Sequence, residues 1–194
     1  LRCTRYLNPA TWQRGSLSDV MDWLARQRQM AHRFAGRMIL VGFRRWKAAN
    51  VSAMLSLRPG RVVLARNAAD AEALRPGGDD CLVCWGAEPP PGVRELAEAA
   101  GVRLLRMEDG FVRSVGLGSD LIPPQSFVLD EVGIYFDPRR PSGLENLLNT
   151  CSFTPRDLQR ARAVRAFIVR HGITKYNLEC NDAVQWPSGG RQVV

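Results

Sequence analysis

Four short apolar runs recur along this chain: RMILVGF (37–43), RVVLAR (61–66), DCLVCWG (80–86) and VRLLRMED (102–109). Runs of this length, rich in Val, Ile and Leu, have the pattern of strands buried on both faces. Between them lie RRWKAANVSAMLSL, AADAEALR and GVRELAEAAG, which have helical composition and are bounded by Gly and Pro. Parallel strands need a crossover, and a helix is the usual one. The alternation therefore predicts an α/β fold in which a parallel sheet carries helices on both faces.

At 194 residues the chain has room for one domain or slightly more, with a core of its own. The predicted architecture is Rossmann-like. Ahead of the first strand, SLSDVMDWLARQRQMAHRFAG reads as a helix with a serine cap and Val20, Trp23, Leu24, Met30 and Phe34 at helical spacing, stopping at Gly36. After Asp120 the texture changes. SFVLDEVGIYFD reads as a hairpin turning at Glu131 to Gly133, and SGLENLLN and TPRDLQRARAVRAFIVRHG read as helices. ITKYNLECNDAVQWPSGG reads as an ordered loop leading to a strand that opens at the last residues. The absence of an initiator Met and the ending in SGGRQVV suggest a piece of a longer polypeptide.

The net charge is +8, most of it from arginines spread along the chain. Such a balance suits acidic partners, or simply a solvated basic surface. It lacks the block of like charge typical of a nucleic-acid tail, and no DNA- or RNA-binding motif accompanies it. Cys81 and Cys84 form a CxxC, but no second pair or close histidine pair joins them, and both sit in an apolar run. They read as buried strand thiols in a reducing compartment, with no metal site. His32 and His171 stand near helix ends, where their role is interaction with a helix C-terminus. VGLGSD contains G-x-G without the third glycine or the preceding first strand, so it is no dinucleotide fingerprint.

Ligands of open parallel sheets bind beyond the carboxyl ends of the strands. Three segments fall there: GFRRWK with Arg44, Arg45 and Lys47 around Trp46, WGAEPPP, and MEDGFVRS with Glu108 and Asp109. If the fourth strand persists to its end, Glu108 and Asp109 point to opposite sides, which makes them no simple acid/base dyad. Gly110 lets the backbone turn at once after them. A plain turn with a solvated Glu is the alternative reading. The residues alone name no reaction.

The segments RYLNPATWQRGSLSDVMDWLARQR, VGFRRWK, RMEDGFVRSVGLGSDLIPPQSFVLDEVGIYFDPRRPSGLENLL and HGITKYNL, in this order, resemble the KpsC/LipB family of capsular polysaccharide export proteins of Gram-negative bacteria. The opening looks like the lead-in to the second of that family's two modules. The resemblance implies a retaining β-Kdo glycosyltransferase of GT-B type, using CMP-β-Kdo as donor and no cofactor. Its acceptor would be a Kdo-primed phosphatidylglycerol or lysophosphatidylglycerol at the cytoplasmic face of the inner membrane, with peripheral membrane association. Residues 1–15 would be a lead-in, 16–150 the Rossmann-like acceptor-side domain, and 151–194 a connecting helix, loop and the start of the donor-binding half. Glu108 matches the glutamate of the family's EDG motif and would be the catalytic acid/base. The nucleophilic aspartate and a donor-binding His-Pro would lie in the missing half, so the fragment alone would be inactive. Asp109, Gly110, Arg113, Ser114, Arg44, Lys47, Tyr176 and Asn177 would contact substrate, the cations among them meeting carboxylate or phosphate. Loop bracing is the competing role for Arg113, Ser114, Tyr176 and Asn177. The alternative function is a non-catalytic remnant that docks on a partner or an anionic membrane surface.

Overall fold

A computed structural model describes residues 4–55, 58 and 60–178. They divide into two compact units. One comprises the chain up to Asp109 together with Phe127–Phe153, and the other Gly110–Ser126 with the chain from Thr154 onward.

The first unit opens with a small hairpin, β1 (Tyr6–Leu7) and β2 (Arg14–Gly15). Helix α1 (Leu17–Arg33) follows at a reciprocal cap. The Ser16 hydroxyl accepts the Asp19 amide, and the Asp19 carboxylate accepts the Ser16 amide at 2.7 Å. The helix stops at Phe34, two residues before the expected glycine. Gly36 serves another purpose. A Cβ there would lie 2.3 Å from the Asp79 carbonyl, so the glycine permits backbone-to-backbone approach, not a helix stop.

Next come β3 (Met38–Val41), α2 (Arg45–Leu55), β4 (Val62–Ala65), α3 (Ala68–Ala73), β5 (Cys81–Trp85), α4 (Val93–Ala100) and β6 (Arg103–Asp109). β7 (Phe127–Asp130) and α5 (Gly143–Thr150) complete the unit. The sheet order is β4-β3-β5-β6-β7. β3 to β6 are parallel, as the alternation requires, while β7 runs antiparallel on the edge of β6.

The expected hairpin around Glu131 to Gly133 is not formed. Only Phe127–Asp130 is a strand, and its partner is β6. The Asp130 carboxylate explains the difference. It accepts the amides of Val132 (2.8 Å), Gly133 (3.0 Å) and Gly143 (2.7 Å), which folds the following segment against the strand end. Those amides are thereby lost to any ladder.

Strand alternation splits the core into two layers. Met38, Leu40, Cys81, Val83, Leu105 and Met107 pack with Ala48, Val51 and Leu55 of α2. Ile39, Val41, Leu82 and Cys84 pack on the other face with Ala71 of α3 and Val93 and Ala97 of α4. Helices therefore cover both faces. Cys81 and Cys84 are buried in opposite layers, so the CxxC cannot close on one ion. Burial pushes both thiols up, Cys84 to about 11. Among the described residues no cluster of metal-ligating side chains occurs.

Among its described residues the second unit holds a 3-10 turn (Gly118–Asp120) and α6 (Pro155–Arg170). Thr154 and Asp157 form a second reciprocal cap, with Pro155 at the first helical position. His32 lies in the last turn of α1 and His171 caps α6, its ring 4.4 Å from that of Phe167. The expected strand at the chain end lies outside the described residues.

Candidate active site

β3, β5 and β6 are adjacent and parallel, so their carboxyl ends share one edge of the sheet. The first crossover runs from β3 outward to β4, and the next returns from β4 past β3 to β5, with α2 and α3 on opposite faces of the sheet. That reversal marks the crevice where open sheets of this kind bind ligands. The strand ends singled out in the sequence, at Val41 before GFRRWK, at Trp85 and at Glu108–Asp109, lie on this edge.

After β3, Gly42 and Phe43 lead into α2, whose first turn carries Lys47. The Lys47 Nζ lies 3.4 Å from the centroid of the Trp85 ring at the end of β5. Trp85 also packs edge-on to Phe43 and Phe127, at 5.9 and 6.2 Å between centroids. An ammonium held on an indole is attracted by roughly 0.5–2 kcal/mol. Trp85 thus fixes Lys47 at the crevice, and the sequence reading did not single it out. Its signal was an aromatic at the last position of a strand. Arg44 and Arg45 are exposed beside it.

β6 persists through Glu108 and Asp109, paired with Val128 and Phe127. The two acids accordingly alternate. Asp109 follows Met107 and Leu105 on the α2 face, and Glu108 follows Arg106 on the α4 face. One Glu108 carboxylate oxygen accepts the Asp109 amide at 2.9 Å, and both residues are part-buried. Such a carboxylate is held at the strand end with one oxygen engaged by backbone. It has the chemistry to accept a proton from a hydroxyl brought to that edge.

Gly110, Arg113, Ser114, Tyr176 and Asn177 belong to the second unit. The Gly110 amide donates to the Ser126 carbonyl, and a Cβ there would lie 2.0 Å from the Ser126 hydroxyl. Close approach, not a left-handed turn, requires this glycine. Arg113 is 3% exposed and donates to the Ser114 hydroxyl (2.8 Å) and the Ile122 carbonyl (3.0 Å). The Ser114 hydroxyl donates to the Gly116 carbonyl. Asn177 donates from its side-chain amide to the Ser114 carbonyl at 3.0 Å. Backbone bonds from Arg113 to Lys175 and from Gly116 to Tyr176 join the same two segments. This arrangement braces one loop against another.

A family model described as "Capsule polysaccharide biosynthesis protein" matches residues 80–183. The capsule polysaccharide modification protein LipA of Neisseria meningitidis is 36% identical over the whole chain, which corresponds to 27% of LipA. The lipopolysaccharide-processing protein LpsZ of Rhizobium meliloti is 41% identical over 99 residues, half of this chain and 22% of LpsZ. Two solved structures of Thermosulfurimonas dismutans KpsC share the fold. Its β-Kdo 2,4 transferase superposes at a TM-score of 0.59 with 31% identity, covering 78% of this chain and 46% of that one. Its β-Kdo 2,7 transferase gives 0.53 and 29%, covering 70% and 43%. The chain thus spans about a quarter of LipA's length, 27%, and under half of each transferase structure. With the family model matching more than half of its 194 residues, the chain belongs to the capsule polysaccharide biosynthesis protein family.

Proposed function

We propose that this chain is the acceptor-side half of a retaining β-Kdo transferase module, with Glu108 as its acid/base. The observation that carries the reading is a part-buried carboxylate at the carboxyl edge of a sheet whose structural neighbours are two β-Kdo transferases. CMP-β-Kdo is the donor and a Kdo-primed phosphatidylglycerol or lysophosphatidylglycerol the acceptor.

Retention requires two inversions. A nucleophile in the donor-binding half displaces CMP and forms a glycosyl-enzyme bond. The acceptor hydroxyl then attacks the same carbon, releasing the nucleophile, and Glu108 takes the hydroxyl proton as the new glycosidic bond forms. Arg44 and Lys47, on the same edge, receive carboxylate or phosphate of the substrates. Arg113, Ser114, Tyr176 and Asn177 hold the loop that follows β6. The half-module alone performs no transfer, because nucleophile and donor site lie in the other half.

The test is CMP release and Kdo transfer, measured with CMP-β-Kdo and the Kdo-primed lipid. The full polypeptide carrying this chain should elongate the acceptor, and the 194-residue chain should release no CMP above background. A full polypeptide that leaves the acceptor unchanged would sink the reading.

A second reading, docking on anionic membrane, is favoured by α6. That helix exposes Arg156, Arg160, Arg162, Arg165 and Arg170 together with Leu158, Val164 and Phe167. No helix among the described residues is long and apolar enough to cross a membrane. Surface attachment through basic and apolar side chains serves a transferase whose acceptor is a lipid at the cytoplasmic face of the inner membrane.

A further inference from the structure

β6 carries an arginine in the middle of a buried strand. Leu105 and Met107 point into the α2 layer, so Arg106 faces the α4 side, where it is only 6% exposed. Its Nε donates to the Ala87 carbonyl at 3.0 Å. Its Nη1 is buried and meets no acceptor among the described residues. The natural counterion is Asp130, directly opposite on β7, but both of its oxygens accept backbone amides.

A second guanidinium has the same deficit. Arg94, in the first turn of α4, has a buried Nη2 with no acceptor among the described residues. Arg139 and Arg140 reach the same turn after β5, at 2.9 and 3.5 Å from the Glu88 carboxylate. Burial lowers the Arg106 pKa, and the charges it feels include Arg94, Glu88 and Arg140, while Arg139 joins the group through its ion pair with Glu88. Glu88 and Asp137 stand among them, and Asp137 is already bound by Arg139 at 2.8 Å. What remains unmet is one buried guanidinium nitrogen on each of Arg94 and Arg106, with no acceptor among the described residues.

An arginine stays protonated at any working pH. A buried charged donor without an acceptor is costly, because it has given up water and gained no partner. An oxyanion seated between Arg94 and Arg106 would remove that cost twice over, since each lacks one acceptor. Glu108 lies two residues farther along the same face of β6, roughly 6.5 Å in strand rise. An anion held at Arg106 therefore stands beside the strand-end carboxylate. Arg139 and Arg140 also border an open hollow of about 740 Å³ that includes Ser142 and Glu145, with room for a sugar-sized body.

We propose that Arg94 and Arg106, with Arg139 and Arg140 around the Ala87–Glu88 turn, form an oxyanion-binding site for the carboxylate of a sugar acid. The site stands on these residues, and only the naming of its ligand rests on the transferase reading. Glu88 is its resident competitor, pairing with Arg139 and Arg140 until the ligand arrives.

The test is calorimetric titration of the full polypeptide with free Kdo, its methyl ester and inorganic phosphate, each against wild type, Arg94→Met, Arg106→Met and Glu88→Gln. Kdo should bind wild type, and the uncharged ester about tenfold more weakly or worse. Each Arg→Met change should weaken Kdo by a similar factor, whereas Glu88→Gln should tighten it severalfold. Arg94 is only partly buried, so Arg94→Met and Glu88→Gln keep the test open even if Arg106→Met misfolds. Kdo binding indifferent to Arg94→Met and Glu88→Gln would overturn the site. Arginine-dependent binding of phosphate but not Kdo would overturn the carboxylate assignment. Kdo transfer separates the two proposals. Transfer without arginine-dependent binding removes the site alone, and arginine-dependent binding without transfer removes the transferase reading alone.

Discussion

Asp80 shows how a single side chain holds the unit of the sheet together. Its carboxylate, nearly buried, accepts the backbone amides of Arg37 (2.7 Å) and Gly77 (3.2 Å) and the Arg37 guanidinium at 2.6 Å. Arg37 also donates to the Leu74 and Arg75 carbonyls, so one pair ties the start of β3 to the end of α3 and the approach to β5. Burial raises the Asp80 pKa, but the Arg37 and Gly77 hydrogen bonds outweigh it and hold the carboxyl below its ordinary value. A folded-state pKa below the unfolded one gives stability that is present above the unfolded pKa, about 3.9, and is lost as pH falls through the folded value. Asp80→Asn should cost roughly 2–3 kcal/mol at neutral pH, less than the ~3–5 of a fully buried pair because Arg37 is part-exposed. Urea melts at pH 7 and pH 3 check it. The gap between wild type and variant should narrow in acid, and a constant gap would contradict the assignment.

At the scale of elements, Gly36 sets how closely the entry to β3 approaches the turn before β5. A Cβ there meets the Asp79 carbonyl carbon and oxygen at 2.3 Å and the Asp80 nitrogen at 2.4 Å. These are backbone atoms and cannot rotate away. Gly36→Ala should therefore destabilise by about 1–3 kcal/mol, as overpacking does, and a thermal melt that does not move would contradict the geometry. Hydropathy patterning found all four parallel strands because each carries an apolar run, continuous and buried on both faces at Met38–Val41. Even the edge strand β4, where Leu64 is exposed, keeps an unbroken Val-Val-Leu-Ala sequence. It missed β7's true partner, because the Asp130 bracket is made by hydrogen bonds to backbone amides that hydropathy does not register. Gly36 was read as a helix stop for a similar reason, since its constraint comes from a segment more than forty residues away. The site was legible only in outline. Strand ends marked Glu108, Asp109 and Lys47, while Arg106 was hidden inside a run that reads as an ordinary strand. What exposes it is an unmet hydrogen-bond donor, and only a structure shows that.

Over the whole molecule the net charge of +8 acquires two distinct addresses. One is the arginine group around Ala87 and Glu88, and the other is the exposed basic surface of α6. Vesicles rich in phosphatidylglycerol should retain the protein in flotation, neutral vesicles should not, and raised salt should release it. Arg160→Glu with Arg165→Glu should weaken retention about thirtyfold or more, each lost cation contributing about 1 kcal/mol at the surface and each new carboxylate adding repulsion. Equal flotation with neutral vesicles would remove the electrostatic account. The role of Glu108 is decided by Kdo transfer from the full polypeptide to the Kdo-primed lipid, compared between wild type and Glu108→Gln. Loss of a general acid/base should slow transfer by about 10²–10⁴-fold with the fold intact. A folded Glu108→Gln protein that transfers Kdo at the wild-type rate would contradict the assignment of Glu108 as the proton acceptor.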